Sequence, residues 1–396
     1  MHELARGELK TVLDCQGSSS HSRSTSSSRE TATSTGGTRV DTTNLFPHGI
    51  KCATFGASRV QDRTVATGDY GGRLSMVDLE HLSTSTSTST STSTSSSSST
   101  ADTAVVFSAQ AHNGIINCID GIGGTCSSIG HGAPELVTGG KDGVARVWDP
   151  RVNYPVITFE PDADARDCWT VAFGDSHNAE ERCVVAGYDN GDVKLFDLRT
   201  HSVRWETNCS NGVACVEFDR KEIKMNKLIV ATLESTFQCY DMRTQHVKDG
   251  FAHLKEAAHR STVWLGRHLP QNRDIFMTGG GNGGFNLYKY RYPMNRVGKH
   301  PKDELPVGVM GNIELLNSRI ISTQPMTSFD WSPDRAGLGC LSCLDQTLRY
   351  VYVIRCMSVI SHWVFILYFH FDSDRNLTQT FHTHIVPVHG LPGFIS

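Results

Sequence analysis

One short pattern recurs along most of this chain, and it limits the possible folds more than any other feature. Each copy has a glycine-containing turn or its equivalent, then a strand of alternating character that ends at an aromatic or apolar residue, in most copies followed by Asp. The clearest copies are TGGKDGVARVWD (Thr138–Asp149) and AGYDNGDVKLFD (Ala186–Asp197). Weaker copies are TGDYGGRLSMVD (Thr67–Asp78), ATLESTFQCYD (Ala231–Asp241), TGGGNGGFNLYK (Thr278–Lys289) and LSCLDQTLRYV (Leu341–Val351). Such repetition predicts a fold assembled from similar β-sheet units.

The spacing of the copies indicates what the unit is. Their strands end at Val77, Trp148, Phe196, Tyr240, Tyr288 and Val351, which are 71, 48, 44, 48 and 63 residues apart. About 40 to 45 residues form one four-stranded blade of a WD-repeat β-propeller. The two longer intervals contain a Ser/Thr run and an excursion from Tyr290 to Met310.

A short apolar stretch precedes each copy and suits the blade strand that lines a central channel. These stretches are Ile50–Phe55, Ile115–Ile119, Trp169–Phe173, Val213–Phe218, Thr262–Leu265 and Met326–Trp331. The dipeptides Asp142-Gly143, Asn190-Gly191 and Asn282-Gly283 tolerate positive φ, as tight hairpins between alternating strands require. The sequence therefore predicts an all-β WD-repeat propeller with six recognisable blades.

Composition changes divide the chain. We assign residues 1–16 to the remnant of a first blade and residues 45–355 to the propeller. Residues 17–44 and 83–103 are rich in Ser and Thr and cannot bury enough apolar area to offset the entropy of ordering them, so we expect two disordered insertions.

Beyond Val351 the repeat pattern stops. We interpret residues 356–396 as a divergent tail, produced by a gene-model error or by intron read-through. The apolar stretch Met357–Phe371 is shorter than the roughly 20 residues that a helical bilayer span needs, and His362 and His370 interrupt or end it. We therefore do not expect a membrane anchor.

Several function classes lack the residues they need. The formal net charge is −4 and Lys and Arg are scattered, so we expect no nucleic-acid partner. The first residues lack the apolar region of a signal peptide, which favours the cytoplasm. The CxxC pair Cys340 and Cys343 has no second pair at zinc-site spacing. We predict no enzyme, no cofactor and no metal site.

Four polar residues of the clearest repeat form a structural prediction. His112, Thr138, Asp142 and Trp148 occupy the positions at which WD-repeat proteins build a hydrogen-bonded chain, from His to Asp and from Thr to Trp. Imidazole, carboxylate, hydroxyl and indole can satisfy one another there, so a blade can bury all four. A catalytic role is not expected, because Thr138 would be packed within a strand without oxyanion donors.

Idiosyncratic strings outside the repeat carry a more specific resemblance, from about Ile50 to Val351. They are IKCATFGAS (50–58), NCIDGIGG (117–124), RDCWTVAFGD (166–175), EFDRKEIKMNKL (217–228), DMRTQH (241–246), STVWLGRHLPQNR (261–273) and STQPMTSFDWSPD (322–334). In these the chain resembles the Monad-type WD-repeat family, also known as dynein axonemal assembly factors. The resemblance implies a cytosolic co-chaperone adaptor that works with RuvB-like ATPases and prefoldin-like subunits and acts on dynein heavy chains; a role in apoptosis has also been attached to the family.

The chain departs from this family at both ends. Family members resemble seven-bladed propellers, whereas HELARGELKTVL (His2–Leu13) is similar only to the end of a first blade. We therefore expect six blades of seven, incomplete at the N-terminus and divergent at the C-terminus.

Two sets of residues are candidates for binding partners. Trp169 and Trp264 lie in predicted innermost strands close to loops, where an indole can serve either as an interface anchor or as part of the core. Three successive repeats end in Asp-x-Arg, with Arg151, Arg199 and Arg243. This is similar to substrate receptors of cullin-type ubiquitin ligases, the alternative function, although each Arg could simply pair with its neighbouring Asp.

Overall fold

The computed structural model describes residues 46–57, 64–84, 104–123, 135–161, 166–177, 180–357, 362–372 and 382–384. The predicted segments 1–16 and 17–44 lie outside the described residues, as do residues 85–103 of the second predicted insertion. Most of the described chain is β-structure. The one helix among the described residues has six residues, too few to cross a bilayer.

The first three sheets have four antiparallel strands each. Blade 1 contains β1 (Ile50–Thr54), β2 (Thr64–Asp69), β3 (Arg73–Asp78), the helix α1 (Leu79–Thr84) and β4 (Val105–Gln110). Blade 2 contains β5 (Ile116–Gly121), β6 (Leu136–Gly140), β7 (Ala145–Trp148) and β8 (Pro155–Phe159). Blade 3 contains β9 (Cys168–Gly174), β10 (Cys183–Tyr188), β11 (Asp192–Asp197) and β12 (Ser202–Asn208).

The other three sheets follow the same order with additions. Blade 4 contains β13 (Val213–Phe218), β14 (Lys227–Thr232), β15 (Thr236–His246) and β16 (Gly250–Ala257). Blade 5 contains β17 (Val263–Leu269), β18 (Asn272–Gly280), β19 (Gly284–Arg291) and β22 (Asn312–Ile320), with the hairpin β20 (Val297–Lys299) and β21 (Pro306–Gly308) inserted before its last strand. Blade 6 contains β23 (Met326–Trp331), β24 (Leu338–Cys343), β25 (Thr347–Met357), β26 (His362–Asp372) and β27 (His382–His384).

Each blade begins with its innermost strand, and the innermost strands of consecutive blades are in contact from β1 to β23. These six strands coincide with the six predicted apolar stretches, apart from shifts at their ends. The prediction of an all-β propeller with six recognisable blades is therefore confirmed. Residues 362–372, which we assigned to the divergent tail, occupy the place of a fourth strand, paired with β25 from Thr347↔Asp372 to Met357↔His362.

Burial explains why the second strand of a blade lacks the alternation typical of a surface strand. Every residue of β10 and β14 is buried, because neighbouring blades cover both faces of the sheet near the channel. The outer strand β12 is mostly exposed. In the third strand of a blade, between these two, apolar residues at alternating positions pack against a neighbouring blade.

Aromatic pairs mark the packing between blades. Phe159 of blade 2 stacks on Phe196 of blade 3 with ring centroids 4.1 Å apart, and Phe285 of blade 5 meets the edge of Trp331 of blade 6 at 6.5 Å. Full burial of such a side chain contributes about 1.5–3 kcal/mol. The ring of blades is thus held together by apolar contacts that repeat from one interface to the next.

The predicted glycine turns have left-handed backbone conformations, with φ of 76° at Gly143, 93° at Gly191 and 72° at Gly283. Gly283 also has no room for a side chain, because a Cβ there would lie 1.9 Å from the carbonyl oxygen of Ser322. The same turns hydrogen bond to the loops that lead into the next blade, as in Ile321 N to Gly283 O at 2.9 Å. We call the face that carries these turns the upper face and the opposite one the lower face.

Candidate functional site

The four polar residues predicted in blade 2 lie together at the upper face. His112 Nδ1 is 2.8 Å from Asp142 Oδ1 and His112 Nε2 is 2.8 Å from Thr138 Oγ1. The indole Nε1 of Trp148 donates to Thr138 Oγ1 at 2.9 Å. One proton arrangement satisfies all three contacts: imidazole donates to carboxylate, hydroxyl donates to imidazole, and indole donates to hydroxyl. His112, Thr138 and Trp148 are buried.

The carboxylate at the end of this chain is held by further donors. The backbone N–H groups of Asn113 and Val144 donate to Asp142, and Arg146 Nη1 lies 3.2 Å from its Oδ2. Desolvation by itself raises the pKa of Asp142, but the hydrogen bond and charge of His112 together with the backbone donors bring it well below its usual value. The geometry therefore holds the loop before β5 against the turn between β6 and β7.

Blade 5 contains a counterpart that the sequence analysis did not single out. His259 Nε2 lies 2.8 Å from Thr278 Oγ1, with Asn282 at the position of the carboxylate and Tyr288 at that of the indole. Asn286 Nδ2 donates to the carbonyl oxygen of Ala258, as Arg146 Nη1 does to that of Ala111 in blade 2. The sequence did contain a signal for this chain, because His259 precedes a repeat copy that begins with Thr278. The signal was not recognised because Asn282 and Tyr288 replace the Asp and Trp of the template.

Burial has a different electrostatic effect in blade 5. Desolvation lowers the pKa of His259 to about 4, and its hydrogen bond with Thr278 opposes that shift only in part. Burial also raises the pKa of Tyr288, opposed by its hydrogen bonds with Asn286 and Thr278. The chain of blade 5 is therefore neutral near pH 7.

The two candidate tryptophans occupy equivalent places, each the second residue of an innermost strand near the upper face. Trp169 is half-buried and its ring lies beside Gly212, in the loop that leads to blade 4. Trp264 is 39% exposed, with its indole nitrogen beside Gly281. Trp169 contributes to the packing between blades, whereas Trp264 presents an accessible aromatic surface.

The three Asp-x-Arg arginines differ in their surroundings. Arg151 forms a two-pronged contact with Asp149, Nε to Oδ1 at 3.0 Å and Nη2 to Oδ2 at 2.6 Å, which lowers the pKa of that carboxyl. Arg199 and Arg243 each donate to the corresponding Asp through the backbone N–H, and within the described part of the chain their guanidinium groups make no contact with that Asp. The carboxylate of Asp241 instead binds Arg296, with Nη2 to Oδ2 at 2.7 Å. Of the three arginines, Arg151 is therefore the one whose side chain pairs with its neighbouring Asp, as the simpler interpretation of the sequence expected.

The lower face between blades 4 and 5 carries a second polar arrangement that the sequence did not reveal. The excursion 292–311, between β19 and β22, lies against blade 4: β21 contacts β15 and β16, and Tyr292 accepts a hydrogen bond from the buried Lys227. Burial lowers the pKa of Lys227, an effect opposed by Asp219 and Asp274. Arg296 binds the buried Asp241, as described above, so polar contacts fasten the excursion at its first half.

Two histidines and two aspartates fasten its second half. His246 at the end of β15 is buried, and its Nε2 lies 3.2 Å from Asp303 Oδ2. His300 Nδ1 lies 2.8 Å from Asp303 Oδ1, and His300 Nε2 lies 3.1 Å from Asp249 Oδ2. The backbone donor of Leu305 and the two imidazoles overcome desolvation and lower the pKa of Asp303. We call His246, Asp249, His300 and Asp303 the histidine clasp.

The clasp has donor atoms spaced closely enough for a metal ion, with ligand atoms of His246, His300 and Asp303 within 4.8 Å of one another. The same groups also pair with one another. His246 Nδ1 lies 3.3 and 3.1 Å from the backbone nitrogens of Lys248 and Asp249 and 3.3 Å from Asp249 Oδ2, while its Nε2 faces Asp303. Hydrogen bonds and ion pairs within the clasp therefore account for the positions of these side chains.

Comparison with known proteins gives one consistent result. The chain is 53% identical over 312 residues to dynein axonemal assembly factor 10 of Xenopus tropicalis, covering 78% of this chain and 81% of the relative. It is 51% identical over 309 residues to the factor of the same name from Homo sapiens, covering 77% and 80%. The chain is 50% identical over 308 residues to the factor of the same name from Chlamydomonas reinhardtii, covering 76% of this chain and 79% of the relative. No family model matches the chain.

Proposed function

Because this chain belongs to the dynein axonemal assembly factor 10 family, we propose that it acts in the assembly of axonemal dynein, as a non-catalytic adaptor in the cytoplasm. The observation that carries the proposal is the identity of 50–53% to relatives of that name over more than three quarters of the chain. The fold is compatible with this role, since a propeller presents loops on a rigid frame and so supplies recognition surface.

The finer mechanism follows from the family resemblance of the sequence. We propose that the chain is a co-chaperone: it would bridge RuvB-like ATPases and prefoldin-like subunits to dynein heavy chains while these fold or assemble. Of the two candidate tryptophans, Trp264 is the better placed to contact such a partner, because it is 39% exposed beside the turns of the upper face, whereas Trp169 is half-buried. Trp169 supports the packing of that face.

Replacement in a flagellated cell tests the proposal. A strain of Chlamydomonas reinhardtii that lacks its own relative should lose dynein arms, and expression of this chain should restore them. Affinity capture of the tagged chain should enrich RuvB-like ATPases, prefoldin-like subunits and dynein heavy chains. Trp264→Ala should reduce capture at an unchanged melting temperature, and the exposed residue Tyr154→Ala, at the rim of blade 2, provides a matched aromatic control. Normal arms in the deficient strain would contradict the proposal.

The alternative function, substrate receptor of a cullin-type ubiquitin ligase, keeps support from one observation. Arg199 and Arg243 are exposed and, among the described residues, their guanidinium groups form no ion pair with the Asp of their own box. If the alternative is correct, affinity capture should recover a ligase adaptor, and Arg199→Ala should abolish that recovery. Enrichment of chaperone components that is unaffected by Arg199→Ala would favour the assembly function.

A further inference from the structure

The histidine clasp places every ring nitrogen of its two imidazoles against a carboxylate. The oxygens of Asp303 lie 3.2 Å from His246 Nε2 and 2.8 Å from His300 Nδ1, which we call the inner nitrogens. Asp249 Oδ2 lies 3.3 Å from His246 Nδ1 and 3.1 Å from His300 Nε2, the outer nitrogens. The ring centroids are 4.5 Å apart, so each carboxylate bridges both rings.

The protons of the two rings do not match the number of these contacts. A neutral imidazole has one N–H and one lone pair, so two neutral rings can donate to carboxylates in only two of the four contacts. In the other contacts a nitrogen lone pair would face an anionic oxygen. Protonation of both rings would make all four contacts attractive, but it would also place two cations beside each other at a ring separation of 4.5 Å. A divalent cation between the inner nitrogens and Asp303 supplies the same positive charge without that repulsion.

The inner nitrogens and Asp303 are spaced like the ligands of a zinc ion. Zn²⁺ binds His nitrogen and Asp oxygen at about 2.0–2.2 Å, which puts tetrahedral ligand atoms about 3.3 Å apart. The ligand atoms of His246, His300 and Asp303 lie within 4.8 Å of one another, and the two contacts with Asp303 measure 3.2 and 2.8 Å. The donor types favour zinc over Mg²⁺ and Ca²⁺, because those ions prefer oxygen to imidazole nitrogen.

Asp249 is placed to orient both rings toward such an ion. A metal-bound imidazole usually donates its other N–H to a carboxylate or carbonyl, which fixes the ring and its tautomer. Both outer nitrogens face the same oxygen of Asp249, so protons on them leave the lone pairs of the inner nitrogens for the ion. The backbone N–H groups of Lys248 and Asp249, 3.3 and 3.1 Å from His246 Nδ1, belong to an exposed turn. Binding exchanges these two hydrogen bonds for the bonds to the ion.

We infer that the histidine clasp is a zinc site, in which His246 Nε2, His300 Nδ1 and the Asp303 carboxylate bind the ion and Asp249 positions the two rings. The side chains of His300 and Asp303 are 18% and 26% exposed, so water can reach the ion and complete its coordination. The ion fastens the excursion of blade 5 to the end of β15 in blade 4. The expectation of no metal site rested on the spacing of cysteines, whereas His246 and Asp303 are 57 residues apart in the chain.

Zinc titration of the purified full chain tests this inference independently of the proposed function. The chain is freed of metal with a chelator, and Zn²⁺ is then added in competition with a zinc-binding dye. We expect a site of one equivalent that is lost in His300→Ala and in Asp303→Asn. Asp249→Asn should weaken the site about tenfold without abolishing it, as expected for a residue that orients the ligands. Zn²⁺ should also raise the melting temperature of the parent, and Mg²⁺ should not, because the site forms only in the folded chain.

The matched control is His253→Ala, which removes an exposed histidine of blade 4 outside the clasp and should leave the titration unchanged. Melting curves without metal establish that each variant folds. The inference would be overturned if the parent bound no Zn²⁺, if His300→Ala and Asp303→Asn kept the site, or if His253→Ala lost it as well. A clasp held by hydrogen bonds alone would show the same loss of melting temperature for His300→Ala with and without Zn²⁺, which would overturn it too.

Discussion

Blade 2 and blade 5 connect the same positions with different side chains. His112, Thr138, Asp142 and Trp148 in blade 2 correspond to His259, Thr278, Asn282 and Tyr288 in blade 5. In both, the imidazole binds the threonine hydroxyl at 2.8 Å. The shared element is the His–Thr pair, which holds the incoming loop against the second strand. The residues at the two ends of the chain differ between the blades, and Asp142 carries a charge that Asn282 lacks.

The difference separates geometry from electrostatics. In blade 2 a carboxylate with four donors balances the imidazole, whereas in blade 5 the amide oxygen of Asn282 accepts from Gly284 N at 3.1 Å. A charged hydrogen bond is about twice as strong as a neutral one. We therefore expect blade 2 to lose more stability than blade 5 when the corresponding residue is removed.

The largest effect is expected for Trp148→Ala. The indole is 1% exposed, meets the edge of Phe107 at 6.4 Å and donates to Thr138, so its removal leaves a cavity and deprives the Thr138 hydroxyl of one of its two hydrogen bonds. The free energy of unfolding should fall by about 3–5 kcal/mol, measured by urea denaturation. Trp148→Phe should recover much of the loss, because Phe restores most of the volume although it lacks the N–H donor. A loss smaller than that of Tyr288→Ala would contradict the stated order of the two blades.

A smaller effect is expected at the carboxylate. Asp142→Ala should lower the free energy of unfolding by about 1–3 kcal/mol, because it leaves His112 and the backbone donors without an acceptor. Asn282→Ala should cost about 0.5–1.5 kcal/mol, the value of a neutral hydrogen bond. Asp142→Asn, which copies blade 5 into blade 2, should fall between the parent and Asp142→Ala in the same urea titration. Equal costs at Asp142 and Asn282 would remove the electrostatic difference.

The pH dependence of the free energy of unfolding should also distinguish blade 2 from blade 5, and measuring it in the parent chain creates no cavity. The folded-state pKa of His259 is about 4, below the unfolded value of about 6.5, so the unfolded state takes up the proton first as the pH falls. Its contribution is present above pH 6.5 and is lost between about 6.5 and 4. The pKa of Asp142 is also depressed, but from a lower starting value, so its contribution is lost only below about pH 4.

Urea denaturation between pH 7 and pH 3 measures both contributions. His259→Gln should flatten the decline of unfolding free energy between pH 6.5 and 4, and Asp142→Asn should flatten it below pH 4. Because the chain has 18 His, only differences from the parent are informative. A decline between pH 6.5 and 4 that is unchanged by His259→Gln would show that this imidazole is not buried as neutral.

The repeat made the propeller predictable, because each blade reproduces one local order of turn and strands. Turn glycines such as Gly143 and Gly283 could be assigned from sequence, since their conformation depends on neighbouring residues. The blade 2 chain was recognisable for the same reason, as its four residue types fit a known template. In blade 5 the template failed at Asn282 and Tyr288, although the hydrogen-bonding roles are similar.

The histidine clasp could not be predicted in this way. His246 and His300 belong to different blades and follow no period, and their contact depends on how the excursion folds back onto β15 and β16. The sequence showed only that residues 290–310 lengthen one repeat. Exposure is similarly inaccessible: nothing in the residue types distinguishes Trp264, 39% exposed, from the half-buried Trp169.

The smallest effect on stability is expected outside the polar chains, at the Asp-x-Arg positions. Arg151 is paired with Asp149 on the surface, and solvent screens such a pair, so Arg151→Ala should leave the thermal unfolding midpoint unchanged. Arg199→Ala should do the same, since its side chain makes no ion pair with Asp197 among the described residues. Differential scanning calorimetry checks both. The comparison matters because a polar chain and a surface pair contain the same kinds of groups, and only burial separates them. A clear drop in the midpoint for Arg151→Ala would show that the Arg151–Asp149 pair stabilises the fold. The variant could then no longer serve as a test of partner binding that leaves stability unchanged.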